Sequence, residues 1–280
     1  EMKEKEPDRA LSEKEDKPII LPEQGTLMLS PSPHVHCGEN VTDIMLKVLI
    51  CLMPVIVASV CVFGWNAIRV IILCTLSSVA FEALWCFAAR MKTTVKDASA
   101  AVTGVLLALN LPPNVPWWIC VVGAFVAIII AKEVFGGLGQ NPFNPAAVGR
   151  VALLVGFSGY MTTWSVPDQT LSEGLTGEIT TCATPLGEAK MASGTELASE
   201  VFEQIQSVDR LKESFIGNIG GSLGETSALA ILLGGILLII FRLIKWQIPV
   251  AILGTTFVFT WLTNLIAPTL TPHATSASSL

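Results

Sequence analysis

The sequence predicts an all-α polytopic membrane protein, and three observations carry that prediction. Of 280 residues, 51% are hydrophobic and only 14% are charged, where soluble domains carry about 25% charged residues. Mean hydropathy is +0.62. The apolar residues are gathered into runs close to the ~20 residues that a helix needs to cross about 30 Å of hydrocarbon.

Residues 1–40 mix Glu, Lys, Asp and Pro without periodicity, as a mobile tail does, and hold no apolar core of a cleavable signal peptide. Spans are predicted over 44–63 and 68–89, joined by a turn at 64–66. Residues 99–111 are the odd element: an apolar stretch containing Gly104 and stopped by Leu111-Pro112-Pro113. It is too short to cross as a straight helix. It reads either as a half-helix, tolerated at membrane depth only where protein or a cavity satisfies its free backbone groups, or as an ordinary short helix lengthened by its flanks. Spans follow at 115–134 and 146–164, then a polar loop, then spans at 223–241 and 248–266. The chain thus divides into a tail (1–40), a first membrane block of about five helical elements (41–165), the loop (166–222) and the start of a second membrane block (223–280).

Lysine and arginine placement orients these elements. With the tail in the cytoplasm, Arg90, Lys92, Lys96, Lys132, Arg150, Arg242 and Lys245 fall on that side, while the opposite turns at 64–66 and 112–116 carry no cation. This meets the positive-inside rule and puts the loop 166–222 outside the cytoplasm.

Metal chemistry is not expected in this chain. Its seven cysteines (Cys37, Cys51, Cys61, Cys74, Cys86, Cys120, Cys182) include no Cys-x-x-Cys pair, and most fall in apolar runs, where a thiol behaves as a small hydrophobe. His34, His36 and His273 lack metalloenzyme spacing. The net charge of −6 is concentrated in extramembrane segments, and no nucleic-acid partner is expected.

Three features remain. Glu82 lies deep in the second span, where a carboxylate costs a few kcal/mol unless paired, protonated or facing a cavity; a functional and a structural role are equally open, and Arg69 near the outer end can snorkel. After the fourth element comes Phe135-Gly-Gly-Leu-Gly-Gln-Asn-Pro-Phe-Asn-Pro-Ala-Ala147. Its glycines permit sharp turns, its two Asn-Pro steps impose extended backbone, and Pro145 suits a first helical turn. No nucleotide fingerprint is present, so the segment reads as a rigid turn lining a polar cavity. Asn141 and Asn144 could meet a ligand's carbonyl and imide groups or cap the helix that follows. Finally, Thr180-Thr181-Cys182-Ala183-Thr184-Pro185-Leu186 offers threonine hydroxyls in the polar loop, either as an attachment site or as turns and helix caps.

The glycine-asparagine segment, together with Asp97-Ala-Ser-Ala-Ala-Val-Thr-Gly-Val-Leu-Leu-Ala-Leu-Asn-Leu-Pro-Pro113 and the entry Ser32-Pro33-His34, resembles the NqrB/RnfD family. Its members are membrane subunits of sodium-pumping NADH:quinone oxidoreductase and of the Rnf complex. The resemblance runs from about residue 30 to 266. It implies FMN joined by a phosphoester to the last threonine of an Asp-x-x-(Ser/Thr)-small-Ala-Thr motif, attached by a flavin transferase. Glu178-x-x-Thr181-Cys182-Ala183-Thr184 matches that motif with two departures, Glu178 for Asp and Cys182 at the small position. Thr184 is then the attachment residue, flanked by Thr181, Cys182, Ala183, Pro185 and Leu186.

The resemblance further implies a second, noncovalent flavin (riboflavin or FMN) among the helices, for which Asn141 and Asn144 are candidates. It also implies an inverted-repeat helical bundle with half-helices, whose second repeat is incomplete in this sequence. The short tail favours the RnfD branch: ferredoxin-to-NAD electron transfer coupled to Na+ or H+ translocation. Partners are then the lipid bilayer, a second FMN-bearing subunit, iron–sulfur subunits and other Rnf subunits in a bacterial or archaeal cell membrane. An NqrB-type subunit, a secondary transporter of inverted-repeat type and a purely structural scaffold are the alternatives.

Overall fold

The computed structural model describes residues 40–90, 94–165, 181–182, 184–192, 207–217 and 219–270. The chain is a helical membrane protein; its described strands are two two-residue segments. Helix α1 runs Val41–Ala88. Gly64 interrupts it with φ 56° and ψ −131°, a conformation that glycine alone adopts without strain. Here the chain folds back: Thr42 Oγ1 donates to Lys96 O at 3.5 Å, and Val41 shares a cavity with Trp85 and Cys86. The two arms, 41–63 and 65–88, are each long enough to cross about 30 Å at ~1.5 Å per residue. The helices expected at 44–63 and 68–89 are therefore present, with a single-residue hinge for a turn.

Each arm buries a narrow stripe at helical spacing: Cys51, Val55, Ser59 and Phe63 in the first, Val70, Cys74, Ser78, Glu82 and Cys86 in the second. Leu46, Ile50, Met53 and Val57 lie exposed on the first arm, as a lipid-facing surface requires. A short 3₁₀ turn, Val95–Asp97, leads into α2, Ser99–Leu109. This is the short element expected, and it is almost wholly buried. A Cβ on Gly104 would lie 2.7 Å from Thr75 Cα and 2.9 Å from Cys74 O, so a small residue lets α2 seat directly on α1.

Helix α3, Trp117–Phe125, continues without a break into a π-helical stretch, Val126–Glu133. Together they replace the span expected at 115–134. Helix α4, Pro145–Gly156, stops at Phe157, and α5 is the single turn Ser158–Met161. The expectation of one span over 146–164 is thereby corrected. Phe157 leaves helical geometry (φ −135°, ψ 48°) and packs edge-on against Trp118, centroids 5.1 Å apart, which also meets Tyr160 at 5.8 Å.

Strand β1 (Trp164–Ser165) pairs antiparallel with β2 (Thr181–Cys182). Helices α6 (Pro185–Ala192) and α7 (Val208–Ile216) follow. Helix α8, Ala228–Ile240, packs on the first arm of α1, and α9 is Gln247–Leu270. The span expected at 223–241 is a second correction. Residues 222–227 are not helical but enter the bundle, with Ser222, Leu223, Thr226 and Ser227 buried, because they satisfy the open end of α2.

That end is fully engaged. Leu223 N donates to Leu111 O at 3.1 Å and Gly224 N to Leu109 O at 2.7 Å, Arg150 Nη1 to Asn110 O, and Asn110 Nδ2 back to Leu106 O at 2.8 Å. Arg69 Nη2 donates to Val115 O at 3.2 Å and Pro113 O at 3.5 Å, so it holds the α2–α3 turn rather than snorkelling. Arg150, expected among the cytoplasmic cations, is corrected likewise: the free carbonyls and negative dipole end of a short helix attract a guanidinium.

Replacing Gly64 by alanine places a Cβ in this disfavoured region and is expected to destabilise the protein by roughly 1–3 kcal/mol. Thermal unfolding in detergent, compared with the same change at exposed Gly156, checks it.

Candidate functional site

Two places carry chemistry. The first is the loop. The ladder pairs Trp164 with Cys182 and Ser165 with Thr181, tying the segment before Thr184 to the chain that leaves α5. Pro185 then occupies the first turn of α6, where its missing N–H is no loss. Thr184 takes the cap position: its Oγ1 accepts from Gly187 N at 3.1 Å and its carbonyl from Glu188 N at 2.9 Å. Arg210 Nη2 meets Glu188 Oε2 at 2.9 Å and fixes α6 to α7.

Thr184 is half-buried, and its oxygen faces the N–H groups of a helix start, where an anion is favoured by those donors and by the dipole. A phosphoester on this oxygen fits the residues present, because the Gly187 N–H already points at Thr184 Oγ1 and donors at a helix start favour a phosphate's charge. The cap reading and the attachment reading are one geometry. Ala183 lies outside the described residues, and the backbones of Pro185 and Leu186 form the first turn of α6.

The asparagines stand elsewhere. Asn144 Oδ1 accepts from Ala146 N at 3.0 Å and caps α4, while Asn141 Oδ1 is buried without a partner. Gly136, Gly137 and Gly139 have φ of 107°, 85° and 87°, so the glycine-rich segment is the sharp turn its composition called for. Among the described residues α6 makes no contact with α4; Thr184 and the asparagine turn are separate places.

The second place surrounds Glu82. Its Oε1 accepts from Lys132 Nζ at 2.7 Å and from Thr94 Oγ1 at 2.8 Å. Lys132 Nζ also donates to Ser99 Oγ at 2.8 Å and stands 3.6 Å from Glu133 Oε1. The side chains of Lys132 and Glu82 are 2% and 0% exposed. Lys132, expected as a cytoplasmic cation, is thus an internal counter-ion, because an unpaired carboxylate in the bundle is too costly. The π-helical turn carries it inward. Glu82, Glu133, Thr94, Asp97, Ser99 and the Gly136-Gly137 turn line a cavity of about 410 Å³. A cavity does lie beside the glycine segment, but its lining is largely apolar, with Val41, Trp85, Cys86, Ala89 and Leu138 around the carboxylates of Glu82 and Glu133.

Comparison with known proteins follows the same lines. The model of the NQR2, RnfD, RnfE family matches residues 28–279. The D subunit of a proton-translocating ferredoxin:NAD+ oxidoreductase complex from Clostridium ljungdahlii is 42% identical over 83% of this chain and 68% of its own length. The D subunit of a Na+-translocating ferredoxin:NAD+ oxidoreductase complex from Acetobacterium woodii is 42% identical with the same two coverages. The D subunit of an ion-translocating oxidoreductase complex from Stutzerimonas stutzeri is 40% identical over 82% of this chain and 69% of its own.

Removing one partner of a buried pair strands the other. Glu82→Ala is expected to cost about 3–5 kcal/mol, and Glu82→Ala combined with Lys132→Met to recover most of that loss. Thermal unfolding of Glu82→Ala, Lys132→Met and the double variant in detergent measures the coupling; single losses that simply add in the double variant would show that the pair is not coupled.

Proposed function

The chain belongs to the NQR2, RnfD, RnfE family, and on that footing we propose that it is the D-type membrane subunit of an ion-translocating ferredoxin:NAD+ oxidoreductase complex. It acts in that translocase as a flavin-bearing subunit and is not active alone. The similarity to D subunits over more than four-fifths of the chain favours this branch over an NqrB-type subunit. Related subunits serve complexes named for protons and for sodium, so similarity alone leaves both ions open.

FMN attached to Thr184 is the cofactor proposed, and the observation that carries it is the threonine oxygen at the start of α6. Thr181, Cys182, Ala183, Pro185 and Leu186 form the segment a flavin transferase would recognise. Bound there, FMN supplies one- and two-electron redox capacity. The chain's own part is mechanical and electrostatic: β1–β2 and the Glu188–Arg210 pair fix the anchor, and the N–H groups of α6 hold the phosphoryl charge. A second, noncovalent flavin is proposed among the helices, with Asn141, whose Oδ1 lacks a partner, the better of the two asparagines.

The proposed architecture is an inverted repeat, with residues 41–165 as its first unit and 223–280 the start of its second. The tail is placed in the cytoplasm of a bacterial or archaeal cell and the loop 166–222 outside. Leu223 and Gly224, which follow the loop, reach the end of α2 opposite Ser99, and Arg90 and Lys96 lie near the Ser99 end. Iron–sulfur subunits and a second FMN-bearing subunit are the partners this role requires.

The subunit, isolated from cells that possess the transferase and run on a denaturing gel, is expected to fluoresce under ultraviolet light. Thr184→Ala is expected to abolish that band, and a dark band from the unmutated subunit would defeat the flavin reading. Electron transfer unchanged by Thr184→Ala would favour a structural scaffold.

A further inference from the structure

Helix α7 is built the wrong way round for a loop in water. The side that meets the protein carries a charge, since Arg210 Nη2 holds Glu188 Oε2 of α6 at 2.9 Å. Its apolar side chains are turned out: Val208, Phe215 and Ile216 are 66%, 46% and 67% exposed. Lys212 shares a shallow hollow with these three, but its Nζ reaches to Asp209 Oδ1 at 3.3 Å. The lysine stem therefore lies on the apolar side and its ammonium at the edge. An amphipathic helix surrounded by water alone would turn its apolar side to the core.

The end of α7 is fixed in place. Gly217 closes the helix with φ 117°, and a Cβ there would lie 2.9 Å from that of Ser227, whose hydroxyl caps α8. Ile216 enters an apolar groove of about 580 Å³ between the first arm of α1 and α8, with Met53, Val57, Ala58, Leu229 and Leu233. Met53, Val57, Leu229 and Leu233 are exposed and belong to the surface that faces lipid. The outward side of α7 is continuous with that surface.

We propose that α7 lies in the surface of the bilayer, with Val208, Phe215 and Ile216 among phospholipid acyl chains and Asp209 and Glu213 toward water. Depth agrees with this: from Ala58 to the hinge at Gly64 is about 9 Å of helix, and the apolar face of an interfacial helix rests roughly 5–10 Å into the headgroup and acyl boundary. A protein partner fits less well, because three apolar side chains are far fewer than the about 20–30 residues a side of a stable interface. Through the Arg210–Glu188 pair the anchored helix holds α6, and with it Thr184, near the membrane. The use of that hold rests on the flavin reading above.

The test is photochemical. The photoreactive residue p-benzoylphenylalanine replaces exposed Phe215 in the intact complex in its own membrane, and in a second preparation replaces Glu213, about 200° away around the helix. Mass spectrometry of the peptides holding residues 208–217 then identifies what light has attached. A phospholipid adduct several-fold more abundant at 215 than at 213 is expected, and Val208 replaced in the same way is expected to follow 215. Equal adducts at 215 and 213, no lipid adduct, or a cross-link from 215 to a polypeptide overturns the proposal. The fluorescent band on a denaturing gel separates the two readings: lipid adducts with a dark band remove the flavin and leave the anchor, and a fluorescent band without lipid adducts removes the anchor alone.

Discussion

Everything in this fold turns on the buried C-terminal end of a short helix. Helix α2 closes among its neighbours, so its terminal carbonyls need donors brought from elsewhere in the bundle, and each buried group left unsatisfied costs about 1–3 kcal/mol. The protein meets that demand from three directions. A backbone segment from beyond the loop supplies Leu223 N and Gly224 N, α4 supplies Arg150, and the second arm of α1 supplies Arg69 to the turn that follows. Each of these donors is then committed to one position. The entry of residues 222–227 into the bundle and the reach of Arg150 to Asn110 O are consequences of one backbone requirement.

The opposite end of α2 is organised by charge. Ser99 opens the helix and shares Lys132 with Glu82, so α1, α2 and the end of the α3 helix converge on one ammonium. A buried pair of this kind adds little net stability over an apolar replacement. What it does is fix register: Lys132 can be satisfied in one rotational setting of its helix, and that setting aims Glu133 at the cavity. Small residues allow the approach, with Gly104 against Thr75 and Gly234 against Cys51 O. Lipid tails offer no hydrophobic reward for helix association, so close backbone contact and polar pairing do the joining.

Much of this was legible in the sequence, because hydrocarbon thickness sets the length of a run and prolines and glycines punctuate it. The arms of α1, the short α2 and the Asn144 cap followed from such signals. The break at Phe157 did not, since the run through it stays apolar and the cause is the distant Trp118. Residues 223–227 read as part of a span because Leu223 begins an apolar stretch, whereas their backbone is drawn to α2. Lys132 and Arg150 look like loop cations because a charge rule counts position along the chain and not the depth of a partner. The signal available was that Glu82 and Lys132 both sit within or against apolar runs. Thr184 was legible as a cap or an anchor, and its geometry accommodates both.

The π-helical turn at Val126–Glu133 has an evolutionary corollary. Such a turn houses one residue more than an α-helix of the same rise, visible in the reach of Val134 N back to Ile129 O. Losing that one residue would restore regular winding and leave the helix beyond it facing as before, whereas a residue added to the regular winding of α3 would swing Lys132 and Glu133 by about 100° around the axis, away from Glu82.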